Sequence, residues 1–474
     1  MEQGGVSNEK VEQQTRRLER KNQSHVLKYL EELNPAQKKQ LLDEVESVDL
    51  GLLEDLYEKH YVNPKPEESG SIEPYQNIVD FRDFDQKQQE SMKNQGLNII
   101  KQGKAAVLMF AGGSATRLGV PYPKGMYDIG LLSHKSLFQI YAERLQRLQQ
   151  LAQGPSIPWL IMTNQESLAT IQNFFEENFY FGLDRDNVFV FPQDMLPAID
   201  FSGKVLLTEK HKLSLSPNGN GGVFESLGKA GGLEWLEEKE VEYVHLCGVD
   251  NVLLKICDPL FLAFTETQAV EVATKAVEKT KWDESVGVFA LKEGKKSVVE
   301  YSELSEEMAK SKEDSGRLSF CAGNILNHVF RTSFLKKIIT NNLSELRDKY
   351  HVAKKKVPHL SQEGYQSPTS PNALKFELFY FDALSFAESH AALLINRKEE
   401  YAPVKNASGV DSAESAREMV SRLHSKWVKN AGGSIADIST SGCSCEISPL
   451  VSYSGEQLQC LQGKNISLPF YLYY

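Results

Sequence analysis

The sequence of 474 residues predicts an α/β fold built on a mainly parallel sheet with helices on both faces. From about residue 105, short apolar runs typical of buried strands alternate with amphipathic stretches typical of helices. The apolar runs lie at residues 107–110, 158–163, 188–191 and 244–249, and the helical stretches at 137–148 and 167–177. This alternation favours parallel strands, because they must be joined by crossovers that are usually helical.

The first part of the chain has a different pattern and predicts an N-terminal helical region. Residues 8–61 are rich in charge and have apolar residues at helical spacing, with Asn34-Pro35 as the start of a second helix. Beyond about residue 386 the alternation weakens, and the apolar, aromatic end at 468–474 is expected to pack on the protein or on another chain. We therefore predict three parts: a helical region at 1–95, a central domain at 96–386 and a smaller C-terminal domain at 387–474.

Composition and charge exclude several classes of protein. Lys and Arg number 53 against 64 Asp and Glu, a net charge of −11, which argues against a general nucleic-acid binder and against binding to anionic membranes. No apolar run is long enough to span a membrane or to form a secretory signal, so we expect a cytoplasmic protein. The six cysteines are then expected to be reduced thiols, and the Cys443-Ser-Cys445 pair lacks further ligands at zinc-finger spacing.

The most informative segment is a loop that follows the first apolar strand. Ala111, Gly112 and Gly113 allow the backbone to approach a ligand closely, and backbone N–H groups in such turns bind anions. Arg117 and Lys124 add two fixed cations suited to phosphate oxygens. The spacing is neither that of a P-loop nor that of a dinucleotide-binding glycine motif, and an ordinary turn with solvated cations is the alternative.

Three other positions have residue types suited to a phosphorylated ligand. The glycine-rich loop at 217–222 contains Asn220, Gly221 and Gly222, although a plain hairpin turn would give the same pattern. Gln193 follows another apolar strand and could pair with the edge of a base. Asp250 ends a strand, where a carboxylate either binds Mg²⁺ with substrate phosphates or caps the next helix.

Residues 107–125 resemble the nucleotide-binding signature of the sugar-nucleotide pyrophosphorylases, roughly [LM]-A-G-G-x-G-T-R-L-G-x-x-x-P-K. The blocks at 122–130 and 135–144 are similar to those of the eukaryotic UDP-N-acetylhexosamine pyrophosphorylases in particular, and the resemblance extends over about residues 105–460. It implies a Rossmann-like nucleotidyltransferase sheet, with the central domain as the catalytic one.

The resemblance also implies roles for single residues. Blocks at 191–197, 298–304, 321–328, 374–382 and 401–407 match the family's patterns. The implied phosphate-binding, catalytic residues are Arg117, Lys124 and Lys405, and the implied ligand of Mg²⁺ or Mn²⁺ is Asp250. The implied substrate-binding residues are Ala111, Gly112 and Gly113 in the first loop, Gln193 at the uracil, Asn220, Gly221 and Gly222 at the uridine and sugar, and Glu303, Asn324 and Phe381 around the sugar.

The implied reaction joins UTP and an N-acetylhexosamine 1-phosphate to give UDP-N-acetylglucosamine, or UDP-N-acetylgalactosamine, and pyrophosphate by in-line attack on the α-phosphorus. No general base is needed, because a sugar phosphate is already ionised near neutral pH. We expect a monomer or a homodimer. Two alternatives stay open: a pyrophosphorylase for another sugar, and a paralogue that binds UDP-sugars with little turnover.

Departures from the family pattern at Ser114, Ala115 and Asn218 motivate the second alternative. If the backbone at position 115 had a positive φ, alanine there would be strained, and Ala115→Gly would raise the affinity for UTP.

Overall fold

The computed structural model describes residues 7–64, 70–113, 115–361, 364–435 and 445–473. The α-helices in this part are α1 Asn8–Arg20, α2 Pro35–Ser47, α3 Leu50–Tyr57, α4 Gln86–Lys101, α5 Leu137–Ala152, α6 Leu168–Glu177, α7 Val223–Lys229, α8 Gly232–Glu238, α9 Pro259–Thr267, α10 Glu306–Lys310, α11 Thr332–Lys337, α12 Leu343–Arg347, α13 Arg397–Glu400 and α14 Ala413–Asn430.

The strands are β1 Ile72–Pro74, β2 Ile78–Asp80, β3 Ala105–Phe110, β4 Trp159–Thr163, β5 Val188–Pro192, β6 Met195–Pro197, β7 Ile199–Asp200, β8 Leu207–Glu209, β9 Lys212–Leu213, β10 Leu215–Pro217, β11 Tyr243–Gly248, β12 Val272–Glu278, β13 Val288–Lys292, β14 Lys295–Val299, β15 Ala322–Arg331, β16 His351–Lys355, β17 His359–Ser361, β18 Gly364–Gln366, β19 Ala373–Glu377, β20 His390–Ile395, β21 Ser434–Ile435, β22 Cys445–Ile447, β23 Asn465–Ile466 and β24 Phe470–Leu472.

The chain forms two compact units, each assembled from three segments. The smaller unit consists of Met1–Ser69, Gln193–Glu225 and Asn342–Ala383, and the larger unit of Gly70–Pro192, Ser226–Asn341 and Leu384–Tyr474. These units follow other boundaries than the three parts at 1–95, 96–386 and 387–474, a division that stays a prediction. Contacts between distant segments define the units, and such contacts leave no mark in local composition.

The larger unit contains the predicted sheet. Its main path runs β2-β20-β12-β15-β11-β3-β4-β5, and β13, β14 and β1 extend it from β15. All neighbours along the main path are parallel except β15, which runs antiparallel to both β12 and β11. The prediction of a mainly parallel α/β fold is therefore confirmed.

The strands predicted from apolar runs lie where the sequence indicated. The run at 107–110 belongs to β3, and those at 158–163, 188–191 and 244–249 correspond to β4, β5 and β11 within one residue at most ends. β3, β4 and β11 are almost wholly buried, as expected for strands covered on both faces. The helical stretches at 137–148 and 167–177 are α5 and α6. The described residues contain no helix that is both long and apolar enough to cross a membrane.

The C-terminal part of the larger unit is anchored by α14. β22 pairs in parallel with β24, and their apolar side chains pack with Val428 and Leu461 in a small separate core. The aromatic end of the chain is therefore paired within its own unit through Phe470–Leu472. Cys445 is buried and forms no disulfide with another described residue, and Cys443 lies outside the described residues.

The smaller unit begins with α1, α2 and α3. Asn34 caps α2 in a reciprocal pattern, because its Oδ1 accepts from the Gln37 N–H at 3.0 Å and its own N–H donates to Gln37 Oε1 at 3.1 Å. The apolar stripe at 26–33, expected to be helical, forms two short 3₁₀ turns between α1 and α2 instead. The same unit contains a three-stranded sheet in the order β16-β19-β7 and the pair β6-β10.

Four histidines of the larger unit are buried as neutral rings: His245, His328, His390 and His424. Burial lowers the pKa of His245 to about 4, that of His390 to about 3 and that of His424 to about 3. Each ring is hydrogen-bonded; His424 Nδ1, for example, accepts from the Ile447 N–H at 3.0 Å. These rings take up protons much more readily in the unfolded chain than in the folded one.

We expect acid to destabilise the larger unit well above the pKa values of its folded histidines. A folded pKa below 6.5 means that the neutral ring's stabilisation is complete above about pH 6.5 and falls as the pH drops toward 4. At pH 5 the loss is about 2 kcal/mol per buried histidine. Urea midpoints measured from pH 7.5 to 5 test this. His424→Asn keeps an acceptor for the Ile447 N–H and should flatten the pH dependence; an unchanged slope would contradict the prediction.

Candidate active site

The predicted anion-binding loop begins where β3 ends in the larger unit. The Ala111 N–H donates to Met162 O at 2.8 Å, and Asn164 Nδ2 donates to Gly112 O at 3.0 Å. A Cβ on Gly112 would lie only 3.0 Å from the Asn164 backbone nitrogen, so this position favours glycine. Asn164, which follows β4, therefore fixes the start of the loop. Ala111 is buried, and Gly112 is half-buried.

The middle of the loop is open at one position and packed at the next. A Cβ on Gly113 would meet no atom within 4 Å. Ala115 is 5% exposed and begins a short 3₁₀ helix, Ala115–Leu118, and it is not among the residues with positive φ. The strain considered for alanine at this position is therefore absent. Ser114 lies outside the described residues.

Two cations follow the loop. Arg117 is exposed and Lys124 is half-buried, and within the described part of the chain neither side chain forms a hydrogen bond or a salt bridge. The backbone next to Lys124 is closely packed, because a Cβ on Gly125 would lie 2.2 Å from the ring of Phe138. Burial lowers the pKa of Lys124, Asp250 opposes this shift, and Lys405 and Arg117 add to it. The four charged side chains thus share one electrostatic environment.

The backbone next to Lys405 is hydrogen-bonded to the backbone of Asp250. The Val404 N–H donates to Asp250 O at 2.8 Å, and Lys405 Nζ donates to the Tyr401 hydroxyl at 3.2 Å. Burial disfavours the charged form of Lys405, but Tyr401 and Asp250 outweigh it and raise the pKa of Lys405. Both side chains are half-buried. The lysine therefore stays protonated beside the carboxylate that ends β11.

The donor set around Asp250 fits a magnesium ion that is bound together with phosphate. No group of three or more His, Cys, Asp or Glu side chains within the described ranges could hold a metal ion. Mg²⁺ binds proteins through one or two carboxylates and takes its other ligands from water and substrate phosphates. Mn²⁺ accepts the same oxygen ligands, whereas a closed zinc site would need more protein ligands.

The predicted sugar residues Glu303 and Asn324 also lie in the larger unit. Glu303 is exposed, and its carboxylate bonds to Lys292 Nζ at 3.0 Å and to the Glu300 N–H at 3.2 Å. The Asn324 N–H donates to Gly287 O at 2.8 Å. A Cβ on that same Gly287 would lie 3.1 Å from Glu300 Oε1, so the Glu300 carboxylate lies on the backbone that pairs with Asn324.

Glu300, which the family resemblance did not single out, thus lies near Asn324, because both residues contact Gly287. Its carboxyl group is half-buried, and burial followed by the Glu303 charge raises its pKa. β13 and β14 pair Val288 with Val299, which brings Glu300 back beside Gly287. The alternation of the two strands could have indicated this pairing. A role for Glu303 and Asn324 at the sugar stays a prediction.

Gln193 belongs to the smaller unit, in which it is buried beside the glycine-rich loop. Its Nε2 donates to Gly219 O and lies 3.1 Å from the side-chain amide of Asn218. Asn218 is 2% exposed and lies 3.3 Å from the Tyr350 hydroxyl. Asn218 therefore has a structural position in which a neutral amide fits, since an unpaired buried charge would be costly.

The glycines of this loop pack against the segment 378–380. The Gly221 N–H donates to Leu378 O at 2.7 Å, and a Cβ on Gly221 would lie 2.6 Å from the Phe379 carbonyl carbon. A Cβ on Gly222 would lie 2.0 Å from Asn218 Oδ1. Asn220 Oδ1 accepts from the Tyr380 N–H at 2.9 Å. Close packing within the protein thus accounts for glycine at both positions.

Phe381 directly follows this packed segment. Its ring stacks on Phe379 with centroids 5.0 Å apart, and Phe379 in turn contacts His351 at 4.9 Å. The Phe379 N–H donates to Asp382 Oδ2 at 3.0 Å. The structure therefore holds Phe381 rigidly, while its contact with a sugar stays a prediction.

The sequence profile of the UTP–glucose-1-phosphate uridylyltransferase family matches residues 55–435. The chain belongs to this family. It is 40% identical to UDP-N-acetylhexosamine pyrophosphorylase-like protein 1 of Xenopus tropicalis, with 98% of this chain and 97% of the relative covered. It is 41% identical to the UDP-N-acetylglucosamine pyrophosphorylase of Saccharomyces cerevisiae, with 78% of each covered.

Among solved structures, the family member from Trypanosoma brucei is similar along the whole chain. That structure is of a uridine diphosphate N-acetylglucosamine pyrophosphorylase in complex with an inhibitor. The TM-score is 0.82 at 28% sequence identity, with 97% of this chain and 95% of that chain covered. The resemblance seen in the sequence motifs is thus confirmed for this member of the uridylyltransferase family.

For this uridylyltransferase-family chain we expect Ala115→Gly to reduce stability and to leave the affinity for UTP unchanged. The alanine has ordinary backbone geometry, so glycine adds only freedom to the unfolded chain and removes a buried methyl group, a loss of about 1 kcal/mol. Urea unfolding and calorimetric titration with UTP test the two effects. Tighter binding of UTP by the variant would show that alanine strains the loop.

Proposed function

We propose that this protein is a uridylyltransferase that forms UDP-N-acetylglucosamine and pyrophosphate from UTP and N-acetylglucosamine 1-phosphate. The observation that carries the proposal is the group of Arg117, Lys124, Lys405 and Asp250 at the carboxyl ends of β3 and β11. Ligands of parallel sheets bind at this edge. The names of the relatives, UDP-N-acetylglucosamine and UDP-N-acetylhexosamine pyrophosphorylases, support the same activity.

The reaction suits a site that has cations but needs no general base. The sugar phosphate carries between one and two negative charges near neutral pH, so its oxygen is already nucleophilic. The obstacle is repulsion between this anion and the triphosphate. Lys124 and Arg117, whose side chains form no hydrogen bond or salt bridge in the described part, are available to phosphate oxygens, and Lys405 supplies a third charge. Alignment for in-line attack supplies the remaining rate enhancement.

Asp250 is the residue that would hold Mg²⁺ or Mn²⁺ in this site. A metal held there would supply positive charge that offsets the charge of the phosphates. Lys124 and Lys405 both interact with Asp250, so the carboxylate is charge-compensated before a metal arrives. We therefore expect metal and triphosphate to bind together, because the phosphates then take over the two lysines.

The remaining substrate contacts are proposed unit by unit. In the smaller unit, Gln193 and the loop of Asn220, Gly221 and Gly222 would contact the uridine, and Phe381 would contact the sugar. In the larger unit, the loop of Ala111, Gly112 and Gly113 would contact the phosphates. For the sugar hydroxyls and acetamido group we propose Asn324 with Glu300, because the Glu300 carboxylate lies on Gly287, the backbone partner of Asn324. Glu303 is engaged by Lys292 instead.

The alternative of an almost inactive paralogue has lost most of its motivation. Ala115 has unstrained geometry, and Asn218 is a buried structural residue rather than a missing charge at a ligand. A preference for another sugar, N-acetylgalactosamine included, is decided by the rates measured with a panel of sugar 1-phosphates. For the oligomeric state we propose a monomer or a homodimer.

Turnover should depend on Lys124. Lys124→Met keeps the apolar stem and removes the charge, and it should lower kcat/KM about a hundredfold. Arg117→Ala should lower kcat/KM by a factor that corresponds to about 2 kcal/mol of lost transition-state stabilisation. The measurement is pyrophosphate release from UTP and N-acetylglucosamine 1-phosphate. Lys87→Met, at an exposed lysine on α4, is the matched control and should leave the rate unchanged. Wild-type rates in Lys124→Met would exclude the proposed phosphate site.

The two glutamates can be separated by the same substitution. Glu300→Gln should raise KM for N-acetylglucosamine 1-phosphate about tenfold, because a neutral amide bonds sugar hydroxyls more weakly than a carboxylate does. Glu303→Gln should change KM less than about twofold, since the Glu303 carboxylate already bonds to Lys292 and to the Glu300 N–H. Initial rates over a range of sugar phosphate concentrations, with UTP saturating, test the pair. The reverse order of effects would restore Glu303 as the sugar ligand.

A further inference from the structure

The segment that carries Lys405 is attached to the end of β11 at several points. The Val404 N–H donates to Asp250 O at 2.8 Å, and the Val252 N–H donates to Ala402 O at 3.1 Å. Asn251 and Pro403 form a β-bridge between these two hydrogen bonds. The distance between the Asp250 and Lys405 backbones is thus set by a short ladder whose centre is Asn251.

The side chain of Asn251 strengthens this ladder. It is 4% exposed, its Nδ2 donates to Glu400 O at 2.7 Å, and its Oδ1 accepts from the Ala402 N–H at 2.8 Å. The Asn251 carbonyl is fixed separately, because it accepts from the Tyr141 hydroxyl at 2.6 Å. An amide is suited to this position because one group must both donate and accept.

Buried ion pairs fix Glu400, the first residue of the segment 400–405 that pairs with Asn251. Glu400 Oε2 accepts from Lys275 Nζ at 2.5 Å and Glu400 Oε1 from Lys255 Nζ at 3.0 Å. Lys275 is 1% exposed and also donates to Asp258 Oδ2 at 2.5 Å. Two cations and two anions balance in this buried group. Moving Glu400 would leave a buried charge unpaired, which is costly, so the segment has a firm base.

Tyr401 provides the last contact in the sequence from Glu400 to Lys405. Its hydroxyl accepts from Lys405 Nζ at 3.2 Å, and burial raises the pKa of Tyr401, so the phenol stays neutral. Within the described ranges the ammonium is therefore hydrogen-bonded to an uncharged hydroxyl, and it retains donors for a phosphate. The direction of the Lys405 side chain follows from the position of the Glu400–Tyr401 backbone.

We propose that Asn251 is a positioning residue that sets Lys405 against Asp250, through its amide bonds to Glu400 and Ala402. The inference rests on the proposed function, in which Lys405 and Asp250 act on the phosphates. Asn251 itself would touch no substrate. Its removal would displace Lys405 by a fraction of an ångström, and such shifts strongly affect a transition state that depends on alignment.

The decisive experiment is a double-mutant cycle of Asn251→Ala and Lys405→Met, with pyrophosphate release as the readout. In the wild-type background, Asn251→Ala should lower kcat about tenfold or more while KM for UTP changes less than about threefold. In the Lys405→Met background the same substitution should change kcat less than about threefold, because the residue that it positions is already gone. Equal losses in both backgrounds would overturn the proposal.

Further variants separate positioning from simple loss of structure. Asn251→Ser keeps a neutral group that can donate to Glu400 O or accept from the Ala402 N–H, so it should recover part of kcat relative to Asn251→Ala. Asn396→Ser is the matched control, because Asn396 is exposed and caps α13, where serine caps equally well. Urea midpoints show whether each variant is folded. A loss of kcat in Asn251→Ala that tracked unfolded protein alone would contradict positioning.

The wild-type enzyme keeps the two proposals distinguishable. If it releases no pyrophosphate, the proposed function fails, and the same cycle is then measured as calorimetric binding of UDP-N-acetylglucosamine. Asn251→Ala should weaken that binding about fivefold, and less than about twofold once Lys405 is replaced. If the wild type turns over and the cycle is additive, only the role of Asn251 fails.

Discussion

The site in the larger unit depends on the hydrogen bonds that join the end of β11 to the segment 400–405. Lys124, Lys405 and Arg117 repel one another, and one carboxylate, Asp250, compensates them only in part. Such a group keeps its geometry only if the backbones that carry it cannot move apart. The bonds from Val404 to Asp250 and from Asn251 to its two partners supply that constraint.

Two groups of buried polar residues in the larger unit respond differently to a change of pH or to the loss of one member. The group of Lys275, Lys255, Glu400 and Asp258 is charged but balanced, so it is fixed as long as all its members are present. The buried histidines are neutral and hydrogen-bonded, which ties the fold to pH values near or above neutrality. Only the charged group adjoins the segment of Lys405, because Glu400 is one of its members.

The glycines show that a motif suited to ligand contact can also be needed for packing within the protein. A Cβ on Gly125 or Gly221 would collide with Phe138 or Phe379, and a Cβ on Gly112 would be in tight contact with Asn164. The loops are rich in glycine because protein atoms approach them closely, and this packing shapes the surface that a ligand would meet. Gly113, with open space beside it, has no such packing reason, and ligand contact would explain its glycine.

The sequence by itself determined the α/β class, the strands at β3, β4, β5 and β11, and the loop from Ala111 to Lys124, because apolar period and glycine spacing are local properties of the chain. It also indicated the family, whose motifs are continuous blocks. Only the tertiary structure decided that Asn218 is buried, that Glu300 lies beside the partner of Asn324, and that Asn251 and Tyr401 hold the segment of Lys405. The burial of Asn218, the pairing of Gly287 with Asn324 and the bonds from Asn251 to Glu400 and Ala402 join segments that are distant in the chain, and local sequence patterns do not record such packing.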